Sequence, residues 1–310
     1  MYEKPHKIEI SDIRVPVIEF GGTAIVFQRH GKYNRNKDAD NAGSITDQSA
    51  EEMYAYDKLF FDEILEQEDV YILFASSDTQ YAGKGHRSME TAQIAQDAAV
   101  DAMSRAGVDS AERIININPA FKTARYEDTD QDIRPIVGLR EPQIFNPRDT
   151  QYLAHLQTQY GYADEEAKIG LSPKAWAMHE MDTEKRAREL TGAEGQEELI
   201  ARTKKSLAMI ERYAKIWHAN NPGKRLLVWV ASHYDTISPV VKEARGTLRN
   251  EDGTLSDAYQ PVDYGGGVVI AISPEDGKER SLAFLDTSLP LHLGGGAVSS
   301  SVMALNQPKH

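Results

Sequence analysis

The sequence predicts an α/β fold with a largely parallel sheet, and two observations carry that prediction. Three short apolar runs, "TAIVF" at 23–27, "DVYILFAS" at 69–76 and "RLLVWVAS" at 225–232, each lead into a polar loop. Between them lie stretches with apolar residues at helical spacing. Strands that alternate with helices form a mostly parallel sheet covered by those helices.

The elements are taken in chain order. Each apolar run is rich in Val, Ile, Leu or aromatic residues and reads as a buried strand. Residues 48–67 place Met53, Leu59, Phe60, Ile64 and Leu65 roughly on one helical face. Residues 88–106 read as a second helix, and 194–220 as a long third one closed by the breaker "NPGK". "RIININ" at 113–118 is a weaker fourth strand, and "GVVIAIS" (267–273) with "SLAFLDT" (281–287) reads as a late hairpin around "PEDGKE". The stretch from about 120 to 193 fits the alternation poorly, being polar and carrying Pro135, Pro142, Pro147 and Pro173. It reads as an insertion in a single domain spanning 1–310, a lid or binding loop folded over one end of the sheet. The glycine triplets at 265–267 and 294–296 read as turns rather than a nucleotide fingerprint, and the tail after Gly296 as a poorly ordered end.

Composition narrows the function classes. A formal net charge of −13 argues against a general nucleic-acid binder, because phosphate-backbone affinity comes from clustered Lys and Arg. It argues more weakly against an anionic membrane surface. The absence of cysteine removes disulfides, thiolate metal sites and a cysteine nucleophile. No signal-peptide core and no apolar run approaching a membrane helix are visible, so a soluble cytoplasmic protein is expected.

The loops after the strands are informative, because ligands of open α/β sheets bind beyond the carboxyl ends of the strands. The first strand leads into Arg29-His30-Gly31, the second into a loop with His86 and Arg87, and the third into "SHYDTISP" with His233 and Asp235. A lone His or Arg after a strand is most often a surface or capping residue. Three such loops, each bearing a cation or an imidazole, suggest instead a site for a dianion. Guanidinium forks match phosphate oxygens, and a neutral imidazole is basic enough to attack phosphorus. The local charge in "RHGKYNRNK" then has a purpose, since an acidic surface would otherwise repel a phosphate ester. The remaining histidines show no paired metal-ligand spacing.

At these residues the sequence resembles the histidine phosphatase superfamily, the phosphoglycerate-mutase-like group. "FQRHGKYNRN" is similar to that family's strand, RHG and downstream Asn, here Asn36. "GSITDQSAEE" resembles the stretch that usually comes next. "GHRSMETAQIA" matches the Arg-x-x-x-Thr-Ala signature at Arg87, and "VWVASHYDTISPVVK" resembles the closing strand and second histidine at His233. "IVGLREPQIF" resembles the segment that supplies the general acid, which falls on Glu141. The motifs span roughly residues 23 to 245 in the family's order.

The resemblance implies a three-layer α/β/α sandwich and two-step phosphoryl transfer through phosphohistidine, with no cofactor and no metal. His30 would be the nucleophile, with Arg29, Arg87 and His233 holding phosphoryl oxygens and Asn36 a secondary phosphate contact. Glu141 would be the general acid, with Glu127, Asp128, Asp130 and Asp235 as competitors for that role. "HYD" stands where the smaller branch has His-Gly, which places Tyr234 and Asp235 beside the phosphate as substrate-binding residues. The mutases' Trp-containing loop and paired-arginine motif are missing, which favours hydrolysis over mutase action. A binding module without catalysis is a third reading, disfavoured by the complete His30, Arg29, Arg87 and His233 set. The expected partner is a small-molecule phosphate ester, or a phosphorylated protein. Substrate identity and oligomeric state are silent.

Overall fold

The computed structural model describes residues 15–36, 38–80, 84–115, 133–141, 194–244, 246–256, 262–274 and 280–285. Six strands form one sheet: β1 (Thr23–Arg29), β2 (Val70–Ser77), β3 (Ile133–Ile136), β4 (Arg225–Ser232), β5 (Gly267–Ile272) and β6 (Arg280–Leu285), in the order β3-β2-β4-β1-β5-β6. The four strands β3, β2, β4 and β1 are parallel, whereas β5 runs antiparallel to both β1 and β6.

Two apolar layers cover the sheet, and the period of two along each strand assigns residues to them. On β1, Ala24 and Val26 face one layer and Ile25 and Phe27 the other. On β4, Leu227 and Trp229 face the first, and Leu226 and Val228 the second. The first layer is completed by α1 (Asp47–Ile64) and α2 (Arg87–Ala106), through Phe60, Phe61, Ala92 and Ala99. Trp229 packs there against Phe60 and Phe61 with ring centroids 5.1 and 5.0 Å apart. Such aromatic pairs add about 0.5–1.5 kcal/mol each beyond the area they bury. A short α3 (Ser110–Arg113) comes next along the chain. The second layer is completed by α4 (Gln196–Asn220) and α5 (Tyr234–Ala244), through Leu207, Ile210, Ile237 and Val241. The chain is therefore a three-layer α/β/α sandwich with a mostly parallel sheet.

Helix signals in the sequence account for the ends. Thr46 caps α1 by accepting from the Ser49 N–H, and α2 stops at Gly107, which takes the left-handed conformation (φ 69°) that a side chain disfavours.

Two sequence expectations need correction. "RIININ" does not make a strand within the described residues: α3 takes Ser110–Arg113, and Ile114 forms only an isolated bridge to Ile72. Part of the supposed insertion belongs to the sheet, since β3 pairs with β2 as its edge strand, register Ser76 opposite Pro135. A proline is tolerated there because an edge strand has a neighbour on one side only. Apart from residues 137–141, the remainder of the expected lid lies outside the described residues, as do Glu127, Asp128, Asp130, His155 and His179. No helix among the described residues is long and apolar enough to cross a membrane.

Candidate active site

Parallel strands end at one edge, and the register aligns those ends. Arg29 at the close of β1 lies opposite Ser232 at the close of β4, and Ser76 of β2 lies opposite Ala231. The residues just beyond these positions are thus gathered at one side of the sheet. The His30 N–H completes the alignment by donating to the Ser232 carbonyl at 2.9 Å.

His30 is nearly fully buried (4% exposed) and its two ring nitrogens are in different settings. Nδ1 lies 2.8 Å from the Gly31 carbonyl. A carbonyl only accepts, so Nδ1 carries the proton and Nε2 the lone pair. Arg87 Nε donates to that Nε2 at 3.0 Å. Burial above all, then the charges of Arg87, His233 and Arg29, hold His30 well below the usual imidazole range, so the ring is neutral. At Gly31 a Cβ would crowd Met53 Sδ at 2.5 Å and Ser49 Oγ at 2.7 Å, so those side chains would have to shift to admit one. Its N–H donates to Thr91 Oγ1 at 3.1 Å, which ties the turn after β1 to α2.

Arg87 is the first residue of α2 and is 1% exposed. It spans the pocket, reaching His30 on one side and donating from Nη2 to Glu141 Oε2 at 2.5 Å on the other. Its guanidinium lies 4.5 Å from the Tyr33 ring centroid. Arg29 donates to the Val262 carbonyl and lies 4.0 Å from the centroid of Tyr264. His233 sits between β4 and α5, 1% exposed, with its ring centroid 5.2 Å from that of His30. Burial first, then Arg87, Arg29 and Arg202, push it well below the usual imidazole range as well. A buried cluster of two neutral imidazoles and two guanidiniums is electropositive and can attract an anionic group.

The carboxyl side is arranged differently. Glu141 comes after β3 and a single 3₁₀ turn (Val137–Leu139), and its backbone N–H donates to Thr79 Oγ1 at 2.9 Å. Asp235 lies in the first turn of α5, is 4% exposed, and neither of its carboxyl oxygens has a hydrogen-bond partner among the described residues. Burial, and next the charge of Glu141, push its acid form well above the ordinary carboxyl range. Its own backbone N–H, Arg202 and Arg87 pull the other way with less effect. Burial thus favours the protonated form of Asp235.

The structure brings together His30, Arg29, Arg87, His233 and Glu141, with Asp235 adjoining through its electrostatic contact with Glu141. Tyr234 is buried in the second apolar layer with the Arg29 guanidinium 5.4 Å from its ring centroid, so it supports Arg29 from below. Asn36 is not gathered with these side chains. It is exposed, and its carboxamide oxygen accepts from the Asp38 N–H at 3.1 Å, the geometry of a local turn. Sequence reasoning missed Tyr33 and Tyr264, whose rings lie 5.3 and 5.7 Å from that of His30. It also missed Ser77, Thr79 and Ser88, which bond to the site's members. Tyr33 additionally forms one wall of a neighbouring cleft of about 510 Å³, lined also by Arg35, Asn41 and Asp47. Among the described residues no group of three or more His, Asp or Glu could hold a metal ion.

No protein-family model matches the chain, and no curated protein matches it. Among solved structures it is similar to a phosphoglycerate mutase from Bacillus anthracis, at 15% identity and a TM-score of 0.43, covering 83% of this chain and 90% of that one. It is similar to a mycobacterial glucosyl-3-phosphoglycerate phosphatase at 14% identity and a TM-score of 0.45, covering 84% and 96%. It is similar to an alpha-ribazole phosphatase from Shigella flexneri at 15% identity and a TM-score of 0.41, covering 89% and 100%. The chemistry of the site rests on its own geometry.

Proposed function

We propose that the chain is a phosphomonoesterase of the histidine phosphatase type, which transfers the phosphoryl group of an ester first to His30 and then to water. The observation that carries this reading is the state of His30: a buried, neutral imidazole with its proton fixed on Nδ1, its lone pair on Nε2, and two guanidiniums and a second imidazole around it.

In the first step Nε2 forms a bond to phosphorus as the bond from phosphorus to the ester oxygen breaks. The departing alkoxide takes a proton and leaves as an alcohol. The positive charge that develops on the ring is met by the Gly31 carbonyl at Nδ1–H. An entering phosphate offers Arg87 better acceptors than the imidazole lone pair, which frees Nε2 for attack. Arg29, Arg87 and His233 stabilise the equatorial oxygens as charge shifts among them. In the second step a water oxygen bonds to phosphorus, the bond to Nε2 breaks, and the proton of the water returns to the carboxyl side.

The proton source is the Glu141–Asp235 pair. Burial favours the protonated form of Asp235, whereas Glu141 Oε2 accepts from Arg87 and would be released to exchange a proton once phosphate occupies the guanidinium. The leaving group would extend past Tyr33 toward the neighbouring cleft.

The test is a screen without added metal over sugar phosphates, nucleotides, phosphoglycerates and phosphopeptides, with rapid quench of labelled substrate as its second stage. An acid-labile, base-stable phosphoryl group on the protein is expected, and EDTA should leave turnover unchanged, because imidazole and guanidinium supply both nucleophile and charge. Turnover with no phosphoenzyme, or no turnover of any ester, would overturn the proposal.

A further inference from the structure

His233 lies 2.9 Å by its Nε2 from Ser77 Oγ and 3.3 Å from Ser88 Oγ, while its Nδ1, equally buried, has no hydrogen-bond partner among the described residues. We propose that Ser77 and Ser88 are positioning residues that lock His233 in the Nδ1–H tautomer, which leaves that N–H as the donor for a bound phosphoryl group. The assignment of the tautomer stands on hydrogen-bond directions alone. Its use in phosphoryl transfer rests on the function proposed above.

Counting protons gives the directions. Thr79 Oγ1 accepts from the Glu141 N–H at 2.9 Å. Thr79 Oγ1 lies 2.9 Å from Ser77 Oγ, and with Oγ1 already accepting we take the Thr79 hydroxyl as the donor to Ser77. Ser77 Oγ also accepts from the Thr79 backbone N–H at 3.2 Å. Both lone pairs of Ser77 Oγ are thereby used, and its single proton is left to point at His233 Nε2. Ser88 Oγ, fully buried in the first turn of α2, lies 3.3 Å from the same nitrogen and can share its lone pair in that tautomer. The opposite tautomer would place a third donor on Ser77 and strand the Ser77 proton. Nδ1 is unpartnered among the described residues in either tautomer, so the difference between them is the stranded Ser77 proton, an unmade hydrogen bond of about 1–3 kcal/mol. A lone pair facing phosphoryl oxygens would also repel them, whereas N–H donates to them.

The relay also couples the two sides of the pocket. It begins at the backbone of Glu141 and ends on His233, so the segment carrying one carboxyl and the imidazole opposite share one tether through Thr79 and Ser77. Its members come from three places: Glu141 from the loop after β3, Ser77 and Thr79 from the end of β2 and just beyond it, and His233 from the residue before α5.

The test is ¹⁵N NMR of histidine-labelled full-length protein, with the His233 signals identified by their loss in His233→Gln. In the wild type, His233 should show a protonated Nδ1 and an unprotonated Nε2, and its Nδ1–H signal should shift on adding inorganic phosphate. In Ser77→Ala/Ser88→Ala the Nε2–H form should appear. With a phosphate ester, kcat should fall by about tenfold with KM little changed, as for an interaction made in the transition state and worth about one hydrogen bond. Ser77→Thr, which keeps the hydroxyl, should restore both readouts. A wild-type His233 protonated on Nε2 overturns the proposal without need of any variant. So does a double variant whose tautomer and kcat both match the wild type. A protein with the Nδ1–H form and the phosphate shift but no turnover of any ester would instead remove the enzymatic reading and leave the tautomer assignment in place.

Discussion

The pocket has two unlike sides. On the side proposed to bind phosphate, Arg29, His30 and Arg87 occupy a strand end, the residue after it and a helix start, with His233 directly after the adjoining strand. Their backbones are fixed by the sheet register, and each side chain has a partner in that same group or just beneath it. On the carboxyl side Glu141 hangs from a four-residue edge strand and one 3₁₀ turn, held by Thr79 and Arg87. Asp235, on a helix, faces it with both oxygens unpartnered among the described residues. The contrast has a physical sense. Phosphoryl oxygens need donors that do not move, while a proton must be held, given and taken back, which asks for groups whose partners change. A buried acid without a hydrogen bond is costly to keep, and this side of the pocket keeps one.

The largest effect that sharpens this comparison is expected at the centre of the phosphate side. His30→Ala should lower turnover by on the order of 10⁴-fold or more and abolish the phosphoenzyme, since positioning alone cannot replace the atom that forms the covalent bond. Circular dichroism and thermal melting should show the fold retained. Arg87→Ala should come next, at about 10²–10³-fold in kcat, because it removes one charge from the transition state and the partner of Glu141 together. A loss confined to KM would instead assign Arg87 to uniform binding.

The carboxyl side should answer selectively. Glu141→Gln and Asp235→Asn should each slow alkyl phosphates by about 10²-fold or more and leave an activated aryl phosphate little changed, because a good leaving group needs no proton. Equal loss on both esters in both variants would move the proton source out of the pair. The pH profile bears on the other side: with His30 held below the usual imidazole range, the acidic limb of kcat/KM should fall below pH 6.5.

The smallest effect on turnover is expected at Asp57, beneath the pocket. Asp57 is fully buried on α1, accepts from Gln28 Nε2 at 3.1 Å through Oδ1, and Gln28 in turn accepts from Trp229 Nε1 at 3.1 Å. Burial pushes its carboxyl up to about 8, against the pull of Gln28. The folded state therefore keeps this proton where the unfolded chain has released it, so the contribution to stability is full below the unfolded value and falls as pH rises toward about 8. Asp57→Asn cannot ionise. Its stability relative to wild type, from urea unfolding, should climb between pH 4 and 8 by at most about 1.4 kcal/mol per pH unit and be level above that range. A constant difference across that range would mean that Asp57 is charged in the folded protein.

The two sides also differ in how far they can be read in the sequence. β1, β2 and β4 are continuous apolar runs because both of their faces are covered, and such runs are conspicuous. Residues placed directly after them can be assigned to one edge before any contact is known. β3 is lost in a polar stretch because "IRPI" is four residues long and holds a proline. With it goes the placement of Glu141, which resemblance finds and pattern does not. Asn36 matches a motif position but is taken up by a turn. Ser77, Thr79 and Ser88 carry no signal, since hydroxyls are common and only the fold shows what they face. Tyr264 comes from a turn more than two hundred residues from His30, and a sequence reading has no way to join them.

The strand order also bears on how the chain is made. β1 and β2 are not neighbours; β4 lies between them, paired with both. β4 emerges from the ribosome roughly 200 residues after β1, which at ~5–20 residues per second is a delay of ~10–40 s. Throughout that interval "TAIVF" has neither of its sheet partners, since β5 comes later still. An apolar segment with unpaired edges is a template for association with other chains. Newly made protein should therefore depend on holding chaperones during synthesis. Fragments ending before β4 should collect in the insoluble fraction, whereas the completed chain should not.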